Sequence, residues 1–239
     1  MSEKPSTAHH EKHDPGDTAK LNWLRAGVLG ANDGIVATSG LVIGVAAAHA
    51  SRGAILTAGL AGLTAGALSM AAGEYVSVST QRDTEGALLA KERWELANEP
   101  DDELAELAGL YESRGLSPGL AHQVAEELTA HDALAAHAEI ELGLDPEKLT
   151  NAWQAAFASA VSFTLGALIP LLIILLVPEQ AKIALTVTAA AAALALTGWV
   201  SARLGGAAVG RAIARNVGGG LLAMVVTFAI GALFGTRVT

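Results

Sequence analysis

The chain has 239 residues, of which 51% are hydrophobic and 16% charged, and its formal net charge is −9. The hydrophobic residues gather in blocks separated by polar residues, which favours an integral membrane protein over a soluble domain with a single core. Because the chain contains no cysteine, disulfides, thiolate metal sites and iron–sulfur ligation are excluded. Any bound metal must use oxygen, nitrogen or thioether ligands.

Residues 1–20 form a polar segment without the apolar stretch of a cleavable secretory signal. We therefore expect a disordered tail, so that the first membrane-spanning helix directs insertion itself. Three histidines, His9, His10 and His13, lie in this tail. Their loose spacing is compatible with metal binding, but a solvated polar tail is the simpler interpretation.

Five apolar segments reach the roughly 20 residues that a helix needs to cross the hydrocarbon core of a membrane. They span residues 25–49, 54–80, 153–177, 181–202 and 215–235. Short turns join the first segment to the second and the third to the fourth, whereas a long polar insert separates the second from the third. The sequence predicts an all-α membrane protein with two transmembrane helices in residues 21–81, an insert in 82–150 and three further transmembrane helices in 151–239.

Basic residues near the helix ends predict the orientation, because lysine and arginine accumulate on the cytoplasmic side of a membrane. One side would carry Lys20, Arg25, Arg82, Arg203, Arg211 and Arg215. The other side would carry only Arg52, Lys182 and Arg237. We therefore expect the N-terminus and the insert to be cytoplasmic.

Asp33 lies within the first apolar segment, in a stretch from Arg25 to Ser51 that is otherwise uncharged. A carboxylate near the middle of a spanning helix costs roughly 2.5 to 3.5 kcal/mol on insertion scales. We expect Asp33 to face a partner or a wet cavity instead of lipid. This feature indicates a protein that transports a cation.

The insert is strongly acidic, with 17 Asp and Glu against 5 Lys and Arg in residues 82–150. Three helices are predicted within it: one over 84–98, one beginning at Pro100, and one beginning at Ser117 and Pro118 and ending at Gly143. Residues three or four apart share a helix face. The pairs that share faces here are Glu92 with Glu95, Glu103 with Glu106, and His137 with Glu141.

Two interpretations of this acidity remain open from the residues alone. Charge runs are commonly solvated helix faces, and pairs of surface glutamates occur on ordinary amphipathic helices. Alternatively, a divalent cation bound between the helices would relieve the repulsion among carboxylates, and such ions prefer oxygen ligands. The insert would then be an acidic metal-binding domain.

Several stretches together resemble the vacuolar iron transporter family, in a bacterial-type member. They are NDGIVATSGLVIGV in the first helix, LSMAAGEYVSVSTQRD in the second, the acidic insert ending in EIELGLD, and the three closing apolar helices. The resemblance covers about residues 20–236. It implies a homodimer in the lipid bilayer with five transmembrane helices and a cytoplasmic metal-binding insert after the second helix.

The resemblance also implies roles for matched positions. Asp33 corresponds to the pore aspartate of the family and Met70 to its pore methionine. The metal-binding glutamates of the family's insert correspond to Glu92, Glu95, Glu103, Glu106 and Glu141. For Met70, ordinary core packing is the alternative that the residues alone would favour.

Two departures from the family pattern are visible. Where plant relatives have a methionine pair, this chain has His137 and Ala138, which replaces thioether ligands with an imidazole that suits iron, manganese or zinc. Where they have a membrane glutamate, it has Gly62. Glu74, four residues after Met70 and on a similar helix face, is a candidate replacement. The alternative for Glu74 is an interfacial glutamate with no part in transport.

The expected function is transport of Fe²⁺, and also of Mn²⁺, out of the cytosol in exchange for protons, with Zn²⁺ as a further candidate ion. We expect no enzymatic activity, no prosthetic group and no nucleic-acid partner, and a location in a bacterial cell membrane. One alternative is a membrane-anchored buffer or sensor that binds metal without moving it. Another is a transporter of a different solute, such as a small amine, with a merely solubilising insert.

Overall fold

The computed structural model describes residues 16–146 and 150–235, with side chains described from residue 26, and the elements in these ranges are helical. They are α1 (Gly16–Ala47), α2 (Arg52–Asn98), α3 (Pro100–Ser113), α4 (Pro118–His137), a π-helical turn (Ala138–Leu142), α5 (Ala152–Leu176), α6 (Lys182–Leu204) and α7 (Val209–Gly235). The predicted all-α class is confirmed.

Five of these helices, α1, α2, α5, α6 and α7, are long and apolar enough to cross a membrane. This confirms the predicted set of spanning helices, and the chain is an integral membrane protein. The helix α2 has 47 residues, more than twice the length that a bilayer requires. Its apolar part is the predicted segment 54–80, and the charged part that follows lies outside that span.

Some predicted boundaries differ from the observed ones. The helix α1 begins at Gly16, so residues 16–20, which we expected in the tail, are helical. The remainder of the predicted tail, with its three histidines, lies outside the described residues, as does Arg237. The first helix predicted for the insert is the end of α2, and α7 begins at Val209, earlier than predicted.

The chain forms two compact units. The membrane unit joins the part of the chain before Tyr75 to the part after Ala152, and the insert unit is Tyr75–Ala152. The helix α1 is central to the membrane unit because it contributes to both of its hydrophobic clusters. One cluster contains Ile35, Ile43, Ala190, Leu194 and Met224. The other contains Val42, Ala46, Ile55, Leu171 and Ile174.

Glycine allows the helices of the membrane unit to approach closely, which matters where lipid supplies no hydrophobic drive for association. At Gly34 of α1, an added Cβ would overlap the carbonyl oxygen of Phe163 in α5. At Gly231 of α7, it would overlap the carbonyl oxygen of Gly44 in α1. The backbone of α1 therefore lies directly against α5 and α7.

One arginine links the two short turns of the membrane unit. Arg52 donates from Nη2 to the carbonyl oxygen of Val177 at 2.6 Å and from Nε to Glu179 at 3.1 Å. Glu179 also accepts a hydrogen bond from Lys182 at 2.6 Å. These contacts satisfy carbonyl groups at the end of α5 that have no partner within the helix, and they fix the start of α2 against the α5–α6 turn.

The insert unit has its own small core, formed by Leu107 and Ala108 of α3 with Ala125 and Ala136 of α4. Pro100 and Pro118 occupy the first turns of α3 and α4 as predicted. Gly143 ends the π turn in the left-handed conformation, with φ of 65°, which glycine adopts without steric cost.

The glycine contact between α7 and α1 generates a stability prediction. Gly231→Ala should destabilise the protein by about 1–3 kcal/mol, because the two backbones must separate to admit a methyl group. Gly218→Ala on the same helix is the matched control, since no atom of the described residues lies within 4 Å of a Cβ at that position. Thermal unfolding in one detergent measures both variants. Equal midpoints for Gly231→Ala and the control would show that this contact is not close-packed.

Candidate metal centre

Carboxylates from three helical elements surround one imidazole in the insert unit. His137 at the end of α4 is fully buried. Its Nδ1 lies 2.9 Å from Glu92 Oε1 of α2, 3.5 Å from Glu103 Oε2 of α3 and 3.7 Å from Glu141 Oε2 of the π turn. Four of the six residues predicted for the insert site are therefore brought together around one nitrogen atom.

Two local irregularities flank His137 and position it. The helix α4 is broken at Asp132, whose backbone is extended with φ of −159° and ψ of 95°. The Asp132 carboxylate then accepts a hydrogen bond from the Ala135 amide at 3.0 Å, so it acts as the N-cap of the last turn before His137. The π turn follows immediately and carries Glu141. Single π-helical turns inside helices occur frequently at functional sites.

The atoms at the centre of this cluster lack hydrogen bonds. Glu92 Oε1 and both ring nitrogens of His137 are buried without a hydrogen-bond partner among the described residues, because the 2.9 Å approach of Nδ1 to Oε1 is poorly aligned for one. Buried polar atoms in this condition are costly, at about 1–3 kcal/mol each. A cation placed between nitrogen and oxygen would satisfy both.

The donor set fits a divalent metal ion. Glu92, His137 and Glu141 each offer one ligand atom, and these atoms all lie within 4.8 Å of one another. Imidazole nitrogen with carboxylate oxygen suits Fe²⁺, Mn²⁺ or Zn²⁺, whereas Ca²⁺ and Mg²⁺ prefer shells made entirely of oxygen. Glu103 is also within reach as a fourth donor.

Burial, together with the neighbouring carboxylates of Glu141 and Glu103, raises the pKa of Glu92 to about 7. Burial also raises the pKa of Glu103, although His137 opposes that shift. These shifts express the cost of ionising carboxyl groups that lie close together away from water. A bound divalent ion would reverse that cost, because it favours the ionised carboxylates.

The other two predicted ligands of the insert lie at the margin of the cluster. Glu95 accepts hydrogen bonds on both carboxylate oxygens from Lys91, at 2.6 and 2.7 Å. Glu106 is exposed. Both act electrostatically on Glu92 and raise its pKa, so they contribute to the field of the cluster.

In the membrane unit, Asp33 is half-buried on α1, next to the close contact of Gly34 with Phe163. Its neighbour Asn32 has a buried side-chain oxygen without a hydrogen-bond partner among the described residues. A polar group without a partner next to a carboxylate costs free energy in a membrane-spanning helix. They mark this turn of α1 as a polar site inside an apolar unit.

The register of α1 against α2 relates Asp33 to Met70. A Cβ on Gly59 would lie 3.1 Å from Val42, and a Cβ on Gly62 would lie 2.9 Å from Leu41. The helices α1 and α2 run antiparallel here, since a higher number on α2 meets a lower number on α1. Further along, Gly34 of α1 and Gly66 of α2 both lie against Phe163 of α5; Gly34 follows Asp33 directly, and Gly66 lies one helical turn before Met70.

Glu74 lies one helical turn beyond Met70, at the end of the membrane unit where the insert unit begins. Met70 and Glu74 are both half-buried, and their spacing of four residues places them on similar faces of α2. Gly62, where plant relatives were expected to differ, faces the Leu41 side chain. A glutamate at that position would require Leu41 to move.

Sequence reasoning missed two residues that shape the metal centre. Lys91 pairs with Glu95, and its position four residues earlier on the same helix was a usable signal. Asp132 interrupts α4 within a run that is otherwise strongly helix-forming. An aspartate three residues before Ala135 is compatible with an N-cap, but nothing in the sequence separates it from an ordinary exposed helix residue.

Comparisons with known proteins cover nearly the whole chain. A family model described as the VIT family matches residues 24–232. A protein of Acanthamoeba castellanii named vacuolar iron transporter is 45% identical over 224 residues, which are 93% of this chain and 82% of that protein.

Plant proteins also match over most of their length. Vacuolar iron transporter homolog 5 of Oryza sativa subsp. japonica is 40% identical over 90% of this chain and 82% of its own. Vacuolar iron transporter homolog 4 of Arabidopsis thaliana is 36% identical over 91% of this chain and 87% of its own.

The shifted pKa of Glu92 predicts a pH-dependent stability of the metal-free insert unit. A carboxyl group whose pKa is raised from 4.5 to about 7 on folding stabilises the fold fully below pH 4.5, and this contribution is lost as the pH rises through 7. Glu92→Gln should therefore protect α4 amides more than wild type at pH 8, by about 1–3 kcal/mol, and equally at pH 4.5.

Amide hydrogen exchange of the full-length protein in chelator, corrected for intrinsic rates, measures this difference. Glu127→Gln, an exposed position on α4, is the control and should follow the wild type at both pH values. A Glu92→Gln variant with the wild-type pH dependence would contradict the assignment of the shift to this carboxyl group.

Proposed function

Since the chain belongs to the VIT family, as its motifs predicted, we propose that it transports ferrous iron across a membrane, out of the cytosol. The observation that carries the proposal is the cluster of His137 with Glu92, Glu103 and Glu141, at whose centre Glu92 Oε1 and both ring nitrogens of His137 are buried with no hydrogen-bond partner in the described part of the chain. Two relatives that match this chain over most of their own length are named as a vacuolar iron transporter and a vacuolar iron transporter homolog. Those names describe transporters, so the proposal includes no catalytic chemistry.

The donor chemistry sets the proposed range of ions. One imidazole nitrogen and up to three carboxylate oxygens suit Fe²⁺, and also Mn²⁺ and Zn²⁺. A membrane site of Asp33 and Met70 would combine a hard oxygen with a soft thioether, which favours a borderline ion such as Fe²⁺ over Ca²⁺ or Mg²⁺. We propose Fe²⁺ as the main substrate and Mn²⁺ as a second one.

The proposed route has two stages. The insert unit captures the ion in the cytosol through His137 and its three glutamates, with Glu95 and Glu106 supplying further negative charge. The membrane unit then passes the ion by Asp33 and Met70, which lie close in sequence to the two glycines that contact Phe163. Glu74 would be an additional carboxylate on this route. A transport site must bind weakly enough to release its ion.

Proton exchange is the proposed driving reaction. Protons arriving from the far side would neutralise a carboxylate of the membrane site, Asp33 or Glu74, and weaken its hold on the metal. The location of the membrane also stays a proposal. The resemblance indicated a bacterial cell membrane, while the relatives are named for the vacuole, and in either membrane the ion would leave the cytosol.

A homodimer is supported by the outer face of α2. Small side chains are exposed there at intervals of three and four residues through the apolar part: Thr57, Ala61, Thr64, Ala65, Ser69, Ala72 and Gly73. Small residues let spanning helices approach closely. A second copy of the chain packed on this face of α2 would bring the two polar sites of Asp33 and Met70 towards each other.

The flux of Fe²⁺ into sealed vesicles tests the transport proposal. Asp33→Asn and Met70→Ala should each abolish the uptake reported by an entrapped chelator, because each removes a ligand from the membrane site. Combined substitution of Glu92 and His137 should reduce uptake only in part, by lowering the capture of ions. Asp83→Asn, which neutralises an exposed aspartate beyond the apolar part of α2, is the matched control and should leave uptake unchanged.

Normal uptake by Asp33→Asn would remove Asp33 from the route. Binding of Fe²⁺ by the wild type without any uptake would favour the rival function, a membrane-anchored metal buffer or sensor. Neither binding nor uptake would favour a different solute.

The absence of native cysteine makes the dimer testable with single introduced cysteines. Ala65→Cys on the exposed face of α2 should form a covalent dimer in membranes under mild oxidant. Leu222→Cys, 65% exposed on α7, is the control and should remain monomeric on a denaturing gel. Cross-linking at Leu222 but not at Ala65 would place the contact between subunits elsewhere.

A further inference from the structure

A cavity of about 470 Å³ lies at the end of the membrane unit where α1 stops and α6 begins. Its walls are largely apolar and include Ala47 of α1, Ile183 of α6, and Phe228 and Ala232 of α7. Phe228 is 43% exposed on a helix that is surrounded by lipid, so the cavity opens towards the bilayer. The volume falls within the roughly 300–1,000 Å³ of small-ligand sites. The cavity is therefore large enough for part of a lipid molecule that enters from the side.

Three polar side chains line the same cavity: His49, Glu179 and Lys182. Lys182 is the first residue of α6, and its side chain is only 10% exposed. Its ammonium has three N–H donors, of which one donates to Glu179 at 2.6 Å within the described part of the chain. Because buried donors need acceptors, this ammonium is suited to a group that brings acceptor oxygens into the cavity.

His49 follows the end of α1 and has an unusual backbone conformation. Its φ is 60°, whereas the other residues of the described chain with positive φ are glycines, which adopt this region without steric cost. Side chains held in such conformations are concentrated at active sites and ligand-binding sites. The imidazole at this position gives the cavity a second nitrogen donor beside Lys182.

The charges at this end of the membrane unit favour an anion. Glu179 is ionised, since the hydrogen bond from Lys182 holds its pKa below the usual range and the hydrogen bond from Arg52 acts in the same direction. Among the described residues, its negative charge meets two positive charges, those of Lys182 and Arg52. The cluster therefore keeps one net positive charge when His49 is neutral. A divalent cation would be repelled, which argues against a second metal site.

We propose that this cavity binds the headgroup of an anionic phospholipid, with Lys182 and His49 on the phosphate oxygens and an acyl chain along Phe228. The ends of α1 and α6 lie where spanning helices meet the headgroups, and basic pockets between spanning helices bind lipid phosphates. Apolar walls and a basic end match the two parts of a lipid, whereas a free phosphate ion would use only the basic end. This site is separate from the proposed ion route and does not depend on it.

Native mass spectrometry of the full-length protein in detergent tests this proposal. Phosphatidylglycerol and phosphatidylcholine with identical chains are added in equal amounts, and the bound lipid is counted per chain. The wild type should prefer phosphatidylglycerol by about fivefold, the factor that corresponds to roughly 1 kcal/mol for one basic side chain near an anionic headgroup. Lys182→Met should lose this preference, and Lys182→Arg, which keeps the charge, should retain it.

His49→Gly removes the imidazole and permits the same left-handed backbone, so it should reduce the preference without disturbing the turn. If Lys182→Met does not fold, His49→Gly alone decides. Arg211→Gln, at an exposed position near the start of α7, is the matched control and should keep the wild-type preference. Wild-type preference in both Lys182→Met and His49→Gly would refute the site, as would equal binding of the two lipids by the wild type.

The headgroup without its chains distinguishes a lipid from a soluble phosphate ester. Glycerophosphoglycerol should leave the unfolding midpoint of the protein unchanged at concentrations at which phosphatidylglycerol raises it, because it has no chain to pack against Phe228. An equal rise with both compounds would show that the cavity takes a soluble phosphate ester and would contradict the lipid assignment.

Discussion

The insert unit depends on the buried carboxyl groups of Glu92 and Glu103, which lie beside the buried imidazole of His137 and pair with no lysine or arginine among the described residues. Around His137, three glutamates from separate helical elements approach one imidazole, and the atoms that meet are not aligned for hydrogen bonds. A folded protein would normally replace such a cluster with apolar residues or pair it with arginine, since uncompensated buried charge is destabilising. The cluster is consistent with a site that binds a cation reversibly.

The membrane unit also contains polar groups among apolar neighbours, at Asn32 and Asp33. Asp33 is carried by the helix that contributes to both hydrophobic clusters, and glycine brings its backbone directly against α5 and α7. This packing holds one turn of α1, with Asn32 and Asp33, in a defined position among apolar neighbours. Rigid placement of a polar group matters for transport, because a ligand that can turn away into lipid headgroups would lose its ion.

The sequence predicted what depends on local patterns. Helix spans follow from long apolar runs, the starts of α3 and α4 follow from Pro100 and Pro118, and Asp33 is visible as a charge among apolar residues. The spacing could not predict that Glu92, Glu103 and Glu141 meet at His137. Glu92 and Glu95 lie on similar faces of one helix, so the spacing favours neither of them as the ligand. His137 lies between the break at Asp132 and the π turn that carries Glu141. Such choices are made by tertiary packing, which overrides local propensity.

We propose that the buried imidazole of His137 is a ligand to a divalent ion. Pulsed electron paramagnetic resonance of Mn²⁺ bound to the full-length protein tests it most directly, in a variant whose tail histidines His9, His10 and His13 are alanine. We expect a coupling from one directly bound ¹⁴N nucleus, which is lost when His137 is also replaced. Tightly bound Mn²⁺ that shows only oxygen ligation would contradict it.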